Sequence, residues 1–296
     1  MSGIHGFIVV DKPTGVTSFA MVALMRRLTR VRRVGHAGTL DPLASGVLPV
    51  AVGQATRFIE YMDDALKTYV ARVRFGEATD TYDAEGAVTE RGDASSVGAA
   101  AVLAILPEFT GDISQTPPLY SALKVAGKPL YRYAREGREV AVAARTVHIE
   151  SIEMRSFQQG VAELEVTCGK GTYIRSLAHD LGRRLGCPAH LAALERTSSG
   201  GFALSDAHAP ADLELLAAGN RLEEALLAVD RALERRPAAI FEAAHSADVR
   251  AGRDLELDAA ASADICRAYS ADGSFLGVLR ASGGGVWHPE KVVGTG

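Results

Sequence analysis

Residues 35–50 concentrate the side chains best suited to chemistry. They read Gly-His-Ala-Gly-Thr-Leu-Asp-Pro-Leu-Ala-Ser-Gly-Val-Leu-Pro-Val, with one histidine, His36, and one carboxylate, Asp41. Glycine and proline at this density predict a rigid loop with fixed turns. Pro42 biases Asp41 toward extended geometry, so its carboxylate can project from the loop. Taken alone, such an aspartate is more often a turn former, and such a histidine a hydrogen-bonded structural residue.

The charge distribution gives Asp41 an unusual setting. The formal net charge is -4, which argues against a protein that coats nucleic acid non-specifically. Between Asp11 and Asp41, however, there is no acidic residue, and the stretch carries Lys12, Arg26, Arg27, Arg30, Arg32 and Arg33. A carboxylate beside such a surface repels phosphate, which favours a chemical role for Asp41.

A second acid-free window, residues 113–135, interleaves Lys124, Lys128, Arg132 and Arg135 with Tyr120, Tyr131 and Tyr133. Basic residues with interspersed aromatics suit phosphate neutralisation and base stacking. Either window alone could equally be a solvated helix face.

Composition limits the classes of protein that fit. The 296 residues are 47% hydrophobic and 23% charged, which is typical of a globular chain with one large and one small domain. The three cysteines, Cys168, Cys187 and Cys266, are too scattered for a disulfide framework or a metal pair. We therefore expect reduced thiols, a cytoplasmic location and no metal. We also expect no membrane association, because no apolar run is long enough and no secretory signal is visible.

The periodicity of apolar residues predicts strands at about 7–10, 69–75, 146–157 and 161–168, and helices at about 17–29, 95–106, 172–185 and 222–233. This order favours an α+β fold with a mixed sheet. A change of composition at Arg235-Arg236-Pro237 predicts two domains, residues 1–236 and 237–296. The second is expected to be β-rich, with a hairpin at Ala271-Asp272-Gly273 and a last strand near 287–293. So small a core should lean on the larger domain.

The chain resembles the bacterial TruB-type tRNA pseudouridine-55 synthases. Residues 35–50 resemble that family's catalytic motif, and five more stretches follow the family's order: 11–18, 67–69, 79–86, 117–125 and 171–176. The tail resembles a reduced PUA domain, an RNA-binding β-module, in its Asp-Gly hairpin and in residues 289–293. The resemblance implies a pseudouridine synthase fold, with a mixed, mostly antiparallel sheet followed by a small PUA-like domain.

The resemblance also implies catalytic roles for three residues. Asp41 is the essential aspartate, Arg175 pairs with it, and Tyr69 stacks on the flipped base and accepts or relays the C5 proton. Without the resemblance, Arg175 would be a surface residue. Tyr69 would be core, because it shares the apolar phase of its strand with Ala71 and Val73.

Four further residues are expected to bind substrate. Tyr173 and Leu194 match family positions that line the uracil pocket, although each could be an ordinary core side chain. His36 is the candidate to fill or stabilise the stack that the flipped base leaves. Lys12 is expected to support the active-site loop or to meet phosphate, a flexible surface lysine being the alternative.

Forming pseudouridine breaks the N1–C1′ bond, turns the uracil and joins C5 to C1′. No atom is gained and no redox change occurs, so no cofactor is expected. One carboxylate can attack the ribose or the base, or assist proton removal from the sugar, and the sequence does not choose between these routes. The target base must leave its stack. We expect the partner to be the T stem-loop of tRNA, bound by a monomer.

Two other classes of function compete. A serine hydrolase is suggested because Ser121-Ala122-Leu123-Lys124 fits S-x-x-K, but the companion motifs K-T-G and S-D-N are absent. A non-catalytic RNA chaperone would use the same basic windows, yet it would leave Asp41 without a purpose.

Overall fold

The computed structural model describes residues 4–62, 65–138, 140–256 and 263–294. The helices are α1 (Ser18–Thr29), α2 (Ala99–Ile105), α3 (Leu130–Arg135), α4 (Ile174–Arg184), α5 (Pro210–Ala218) and α6 (Ala243–Arg250). The strands are β1 (Gly6–Lys12), β2 (Val34–His36), β3 (Ala44–Val52), β4 (Lys67–Phe75), β5 (Glu77–Thr79), β6 (Val88–Arg91), β7 (Gly111–Gln115), β8 (Lys124–Val125), β9 (Lys128–Pro129), β10 (Arg145–Gln158), β11 (Val161–Cys168), β12 (Ala189–Ser199), β13 (Phe202–Ala203), β14 (Ala207–His208), β15 (Ala238–Phe241), β16 (Leu255–Glu256), β17 (Ile265–Ser270), β18 (Phe275–Gly283) and β19 (Val286–Val292).

One large sheet organises the first part of the chain. Its strand order is β14-β1-β3-β12-β4-β11-β10-β7, with β13 paired to β12 and β2 to β3. Most neighbours are antiparallel, but β1–β14 and β3–β12 are parallel. The predicted α+β class with a mixed, mostly antiparallel sheet is confirmed.

The centre of this sheet is well packed because apolar and polar side chains alternate along its strands, so that one face is apolar. On β4, Tyr69, Ala71 and Val73 face the core while Arg72 and Arg74 point outward. Helix α4 covers β12 and the buried face of the sheet with Ile174, Leu177, Ala178 and Leu181. In the strand order, β12 lies between β4 and β3, the strand that follows the Asp41 loop.

Helix α1 is tied to that loop at its first residue. Thr17 caps the helix by accepting a hydrogen bond from Ala20 N. Next to it, the buried Ser18 Oγ donates to Leu40 O at 3.0 Å and accepts from Leu40 N at 2.8 Å. The residue before Asp41 is thus fixed through both its backbone groups.

The helix predicted over residues 222–233 is wrong. The segment forms two short 3₁₀ turns, Leu222–Ala225 and Val229–Leu233. Between them, Leu227 and Phe7 exchange both backbone hydrogen bonds, at 2.9 and 2.7 Å. That pairing requires extended backbone, so an interaction with β1 overrides the local helical pattern. The helix predicted at about 95–106 is present but shorter, as α2. Helices α5 and α6 were not predicted.

A second sheet, of order β15-β17-β18-β19-β16, uses only residues after 237. Its β17–β18 hairpin turns at the predicted Asp-Gly, where Gly273 has φ +83° and Asp272 Oδ1 accepts from Ser274 N. Phe58, Leu233, Ile265 and Val278 form an apolar cluster shared with the first part of the chain. Through this cluster the small C-terminal unit packs against the larger one, as we predicted. The domain boundary at 236/237 stays a prediction.

Within the described residues, no helix is long and apolar enough to cross a membrane.

Candidate active site

A cavity of about 300 Å³ opens beside the Asp41 loop. Its walls come from that loop, the start of β4, the Ser121-Ala122 segment, the region before and into α4, and β12. Five of the predicted site residues line it: Asp41, Tyr69, Tyr173, Arg175 and Leu194. The fold therefore gathers in one place side chains that are far apart in sequence.

Arg175 holds Asp41 at the cavity. Its Nε lies 2.9 Å from Asp41 Oδ2, and the carboxylate is 40% exposed while the arginine is only 6% exposed. The other guanidinium nitrogens donate to Thr81 O at 3.2 Å and to Tyr120 O at 3.0 Å. The predicted pairing of Arg175 with Asp41 is present, and the arginine has little freedom to move.

A second carboxylate, Asp83, lies behind Arg175. Its Oδ2 is 3.6 Å from Arg175 Nη1, and the side chain is 5% exposed. Asp83 Oδ1 accepts hydrogen bonds from Thr81 Oγ1 at 2.6 Å and from Glu85 N at 3.1 Å. Sequence reasoning assigned no role to Asp83, although it lies in one of the matching stretches, residues 79–86.

Tyr69 is buried at the cavity wall, so the core and pocket interpretations of this residue are compatible. Burial raises the pKa of its hydroxyl, and the positive charge of Arg196 opposes this rise. The phenol is therefore neutral at pH 7.

Tyr173 and Leu194 give the cavity its apolar surface. The backbone of Tyr173 is fixed by Gln115, whose amide side chain accepts from Tyr173 N at 2.8 Å and donates to Tyr173 O at 3.1 Å. The guanidinium of Arg145 lies 5.0 Å from the centre of the Tyr173 ring. Leu194 lies on β12 and is 8% exposed.

Lys12 does not line the cavity. It is fully buried, and its Nζ donates to the carbonyl oxygens of Pro13, Val16 and Pro42. These bonds tie β1 to the loop just after Asp41, which favours the loop-support interpretation over a phosphate contact. Burial lowers the pKa of this lysine.

His36 also lies outside the cavity lining. It is on β2, paired with Val50 of β3, and its Nδ1 is buried without a hydrogen-bond partner among the described residues. Burial and the charge of Arg196 lower its pKa, so the imidazole is neutral at pH 7. Its proposed role beside the vacated stack stays a prediction.

Arg196 is the second residue that sequence reasoning missed. It lines the cavity, yet its exposed fraction is 0%. Its Nε donates to Val47 O at 2.8 Å and its Nη2 to Gly38 O at 3.0 Å. Both carbonyls belong to the segment that carries Asp41. No sequence signal marks it, because only the pairing of β12 with β3 and β4 brings it there.

The lysine of the hydrolase alternative is poorly placed. Ser121 lines the cavity, but Lys124 does not. In the described part of the chain, no group of three or more His, Cys, Asp and Glu side chains could hold a metal ion.

Comparison with known proteins identifies the family of the chain. Residues 26–174 match the model for the TruB family pseudouridylate synthase N-terminal domain, and residues 175–234 match that for the tRNA pseudouridylate synthase B C-terminal domain. Proteins named tRNA pseudouridine synthase B are similar to the chain over nearly their whole length. The one from Dehalococcoides mccartyi is 41% identical, covering 98% of this chain and 96% of its own. The one from Chromohalobacter salexigens is 42% identical, covering 99% and 95%.

Solved structures give the same result. A Cbf5-Nop10-Gar1 complex contains a chain that matches with a TM-score of 0.73 at 29% identity, covering 93% of this chain and 78% of that one. An H/ACA RNP bound to a substrate RNA matches with a TM-score of 0.72 at 26% identity, covering the same shares.

The large mixed sheet, the site at β4, β12 and α4, and the C-terminal β-sheet unit, which is consistent with a PUA-like domain, define an RNA-modifying isomerase of the pseudouridine synthase class. Within that class, the chain belongs to the TruB family of pseudouridylate synthases.

Proposed function

We propose that this enzyme isomerises uridine 55 in the T loop of tRNA to pseudouridine, with Asp41 as the essential catalytic carboxylate. The observation that carries the proposal is the partly exposed Asp41, held by Arg175 at the edge of a cavity of about 300 Å³ with aromatic and apolar walls. A cavity of this size accommodates a flipped base. The full-length similarity to proteins named tRNA pseudouridine synthase B supports tRNA as the substrate.

The reaction needs a group at C1′ or C6 and a group near C5. Asp41 either attacks the ribose or base, or assists removal of a sugar proton. Tyr69 stacks on the uracil and receives or relays the C5 proton, and Tyr173 and Leu194 hold the base in the cavity. Arg175 fixes the carboxylate throughout. Lys12 and His36 act from outside the cavity. Lys12 supports the Asp41 loop through its hydrogen bond to Pro42 O. His36 supports the RNA where the base leaves the stack.

The first basic window offers a surface for the RNA backbone. Arg26, Arg30 and Arg32 lie together at the end of α1 and in the loop after it. On the same helix, Phe19 is 67% exposed, with Arg26 over its ring at 6.0 Å. A cation beside an exposed ring suits contact with phosphate and base together. We propose that a monomer binds the T stem-loop here, in the cytoplasm, where the three buried thiols stay reduced.

Release of tritium from tRNA labelled at uridine C5 tests the function, because forming the C5–C1′ bond expels that hydrogen. We expect about one equivalent per tRNA from the wild type and none from Asp41→Asn, with both proteins binding the tRNA. Asp212→Asn, a carboxylate on α5 outside the cavity, is the matched control and should release tritium normally. If no variant releases tritium while all bind tRNA, the protein is an RNA chaperone instead.

A further inference from the structure

Arg196 lines the cavity and has a buried guanidinium nitrogen with no carbonyl or carboxylate partner among the described residues. It lies on β12 opposite Gly46 of β3 on one side and Tyr69 of β4 on the other. Two of its nitrogens donate to Gly38 O and Val47 O, and its guanidinium lies close enough to the buried Tyr69 hydroxyl to oppose the rise in pKa that burial gives that group, while Nη1 has no other polar partner among the described residues. A buried guanidinium nitrogen without a partner is costly, so its presence needs a reason.

The charge of Arg196 is also uncompensated. The nearby carboxylates, Asp41 and Asp83, pair with Arg175, and Arg196 forms no ion pair within the described residues. Two arginine side chains, Arg175 and Arg196, line the cavity, and of these Arg175 is paired with Asp41. A buried cation without a counter-ion is held at a large desolvation cost. The cavity is therefore electrostatically prepared for a ligand that carries or develops negative charge.

The proposed reaction creates such a charge in the base. When the N1–C1′ bond breaks, its electron pair stays on N1 of the uracil and spreads to O2 and O4. This holds whether the Asp41 carboxylate bonds to C1′ or takes the C2′ proton, in which case the C2′–H electron pair forms the C1′–C2′ double bond. If Asp41 instead adds at C6, the electron pair moves to O4. In each route at least one uracil carbonyl oxygen, O4, becomes anionic while the base is in the cavity.

We propose that Arg196 is a catalytic residue whose Nη1 donates a hydrogen bond to an anionic carbonyl oxygen of the uracil. The inference rests on the proposed function, since it assigns the charge stabilisation within that reaction. A donor that is already fixed near the position where negative charge develops is an effective form of catalysis. The bonds to Gly38 and Val47 keep the guanidinium in place, so little reorganisation is needed when the charge appears.

The test compares uridine with 5-fluorouridine at the target position under single-turnover conditions. Fluorine withdraws electrons and stabilises the uracil anion, so the rearrangement depends less on an external positive charge. The variants are Arg196→Gln, which removes the charge but keeps a donor, and Arg196→Lys, which keeps the charge. Arg72→Met, an exposed arginine on the other face of β4, is the control. Rearrangement is followed by digestion and chromatography, tRNA binding by filter retention, and folding by thermal melting.

Removal of one oxyanion-type donor typically slows a reaction about 100- to 1,000-fold. We expect Arg196→Gln to slow uridine rearrangement by this order, to slow 5-fluorouridine at least about tenfold less, and to leave tRNA affinity within about twofold. Arg196→Lys should keep more of the rate than Arg196→Gln, and Arg72→Met should match the wild type.

A purely structural Arg196 predicts something different, namely equal losses on both substrates in both variants, and that result would overturn the proposal. If Arg196→Gln does not fold, Arg196→Lys alone decides, because the charge proposal predicts that it keeps most of the wild-type rate on both substrates, while a structural role predicts equally low rates on both. Failure of the wild type to rearrange uridine would instead remove the proposed function itself.

Discussion

Arg175 Nε and Asp41 Oδ2 lie 2.9 Å apart, and this ion pair joins the first turn of α4 to the loop before β3. An arginine at this end of a helix is unfavourable toward the helix dipole. Two carboxylates and two backbone carbonyls offset that cost here, and Asp41, the proposed catalytic group, is thereby held against α4.

Asp83 should influence the reaction without touching the substrate. Asp83→Asn keeps an oxygen for Thr81 Oγ1 and Glu85 N but loses the charge that positions Arg175. Because small displacements of a reacting group can cost up to about 100-fold in rate, we expect a 10- to 100-fold lower single-turnover rate with unchanged tRNA affinity. Wild-type turnover in Asp83→Asn would show that Arg175 keeps its position without the charge of Asp83.

Removing Arg175 should destabilise the fold as well as stop the reaction. In Arg175→Met the 5% exposed Asp83 carboxylate keeps its burial but loses its cation. Leaving a buried charge uncompensated costs about 3–5 kcal/mol, measurable as the free energy of unfolding in urea. The double variant Arg175→Met/Asp83→Asn should recover much of that loss and stay inactive. Additive losses in the double variant would mean that the two side chains do not interact.

Asp180 on α4 should make stability depend on pH. Burial raises the pKa of its carboxyl to about 6 from an ordinary value of 3.8. The native state then binds the proton more tightly than the unfolded chain, so ionisation destabilises the fold as the pH rises from about 4 to 6. Asp180→Asn removes this penalty. We expect the variant to be about 1–2 kcal/mol more stable than the wild type at pH 7.5, a value discounted for partial solvent exposure, and no different below pH 4. Urea titrations at both pH values measure it, and an equal difference at both would contradict the assignment.

Gly46 should tolerate no side chain. Its φ is +95°, and a Cβ would lie 2.3 Å from the carbonyl oxygen of Arg196. Gly46→Ala must therefore separate β3 from β12, and we expect a loss of unfolding free energy well above the roughly 1–2 kcal/mol of backbone strain alone. Gly15→Ala is the matched control, because φ is +79° there and no atom lies within 4 Å of the added Cβ. Equal losses in the two variants would show that β3 and β12 separate without cost.

The sequence predicted the elements whose patterns are local. The alternation in β4, the helix at about 17–29 and the Asp-Gly turn at Gly273 are all visible in short windows, and all are confirmed. The segment at 222–233 failed because Leu227 pairs with Phe7, a contact that no local window contains.

The site could be predicted only in part for the same reason. Residues within recognisable motifs, such as Asp41 and Arg175, were found, and their contact was anticipated. Arg196 was not, because its place depends on β12 running parallel to β3 and antiparallel to β4. Asp83 lay within a recognised motif, but only the structure shows that it is behind Arg175.

The apolar cluster of Phe58, Leu233, Ile265 and Val278 has a thermodynamic consequence for the whole chain. Phe58 and Val278 are completely buried. Phe58 lies in the 3₁₀ segment Gly53–Met62, which follows β3 of the first sheet, and Val278 lies in β18 of the second sheet. Neither unit can lose its structure without exposing apolar side chains of the other. The two units are therefore coupled energetically, and heating should produce a single calorimetric transition rather than two.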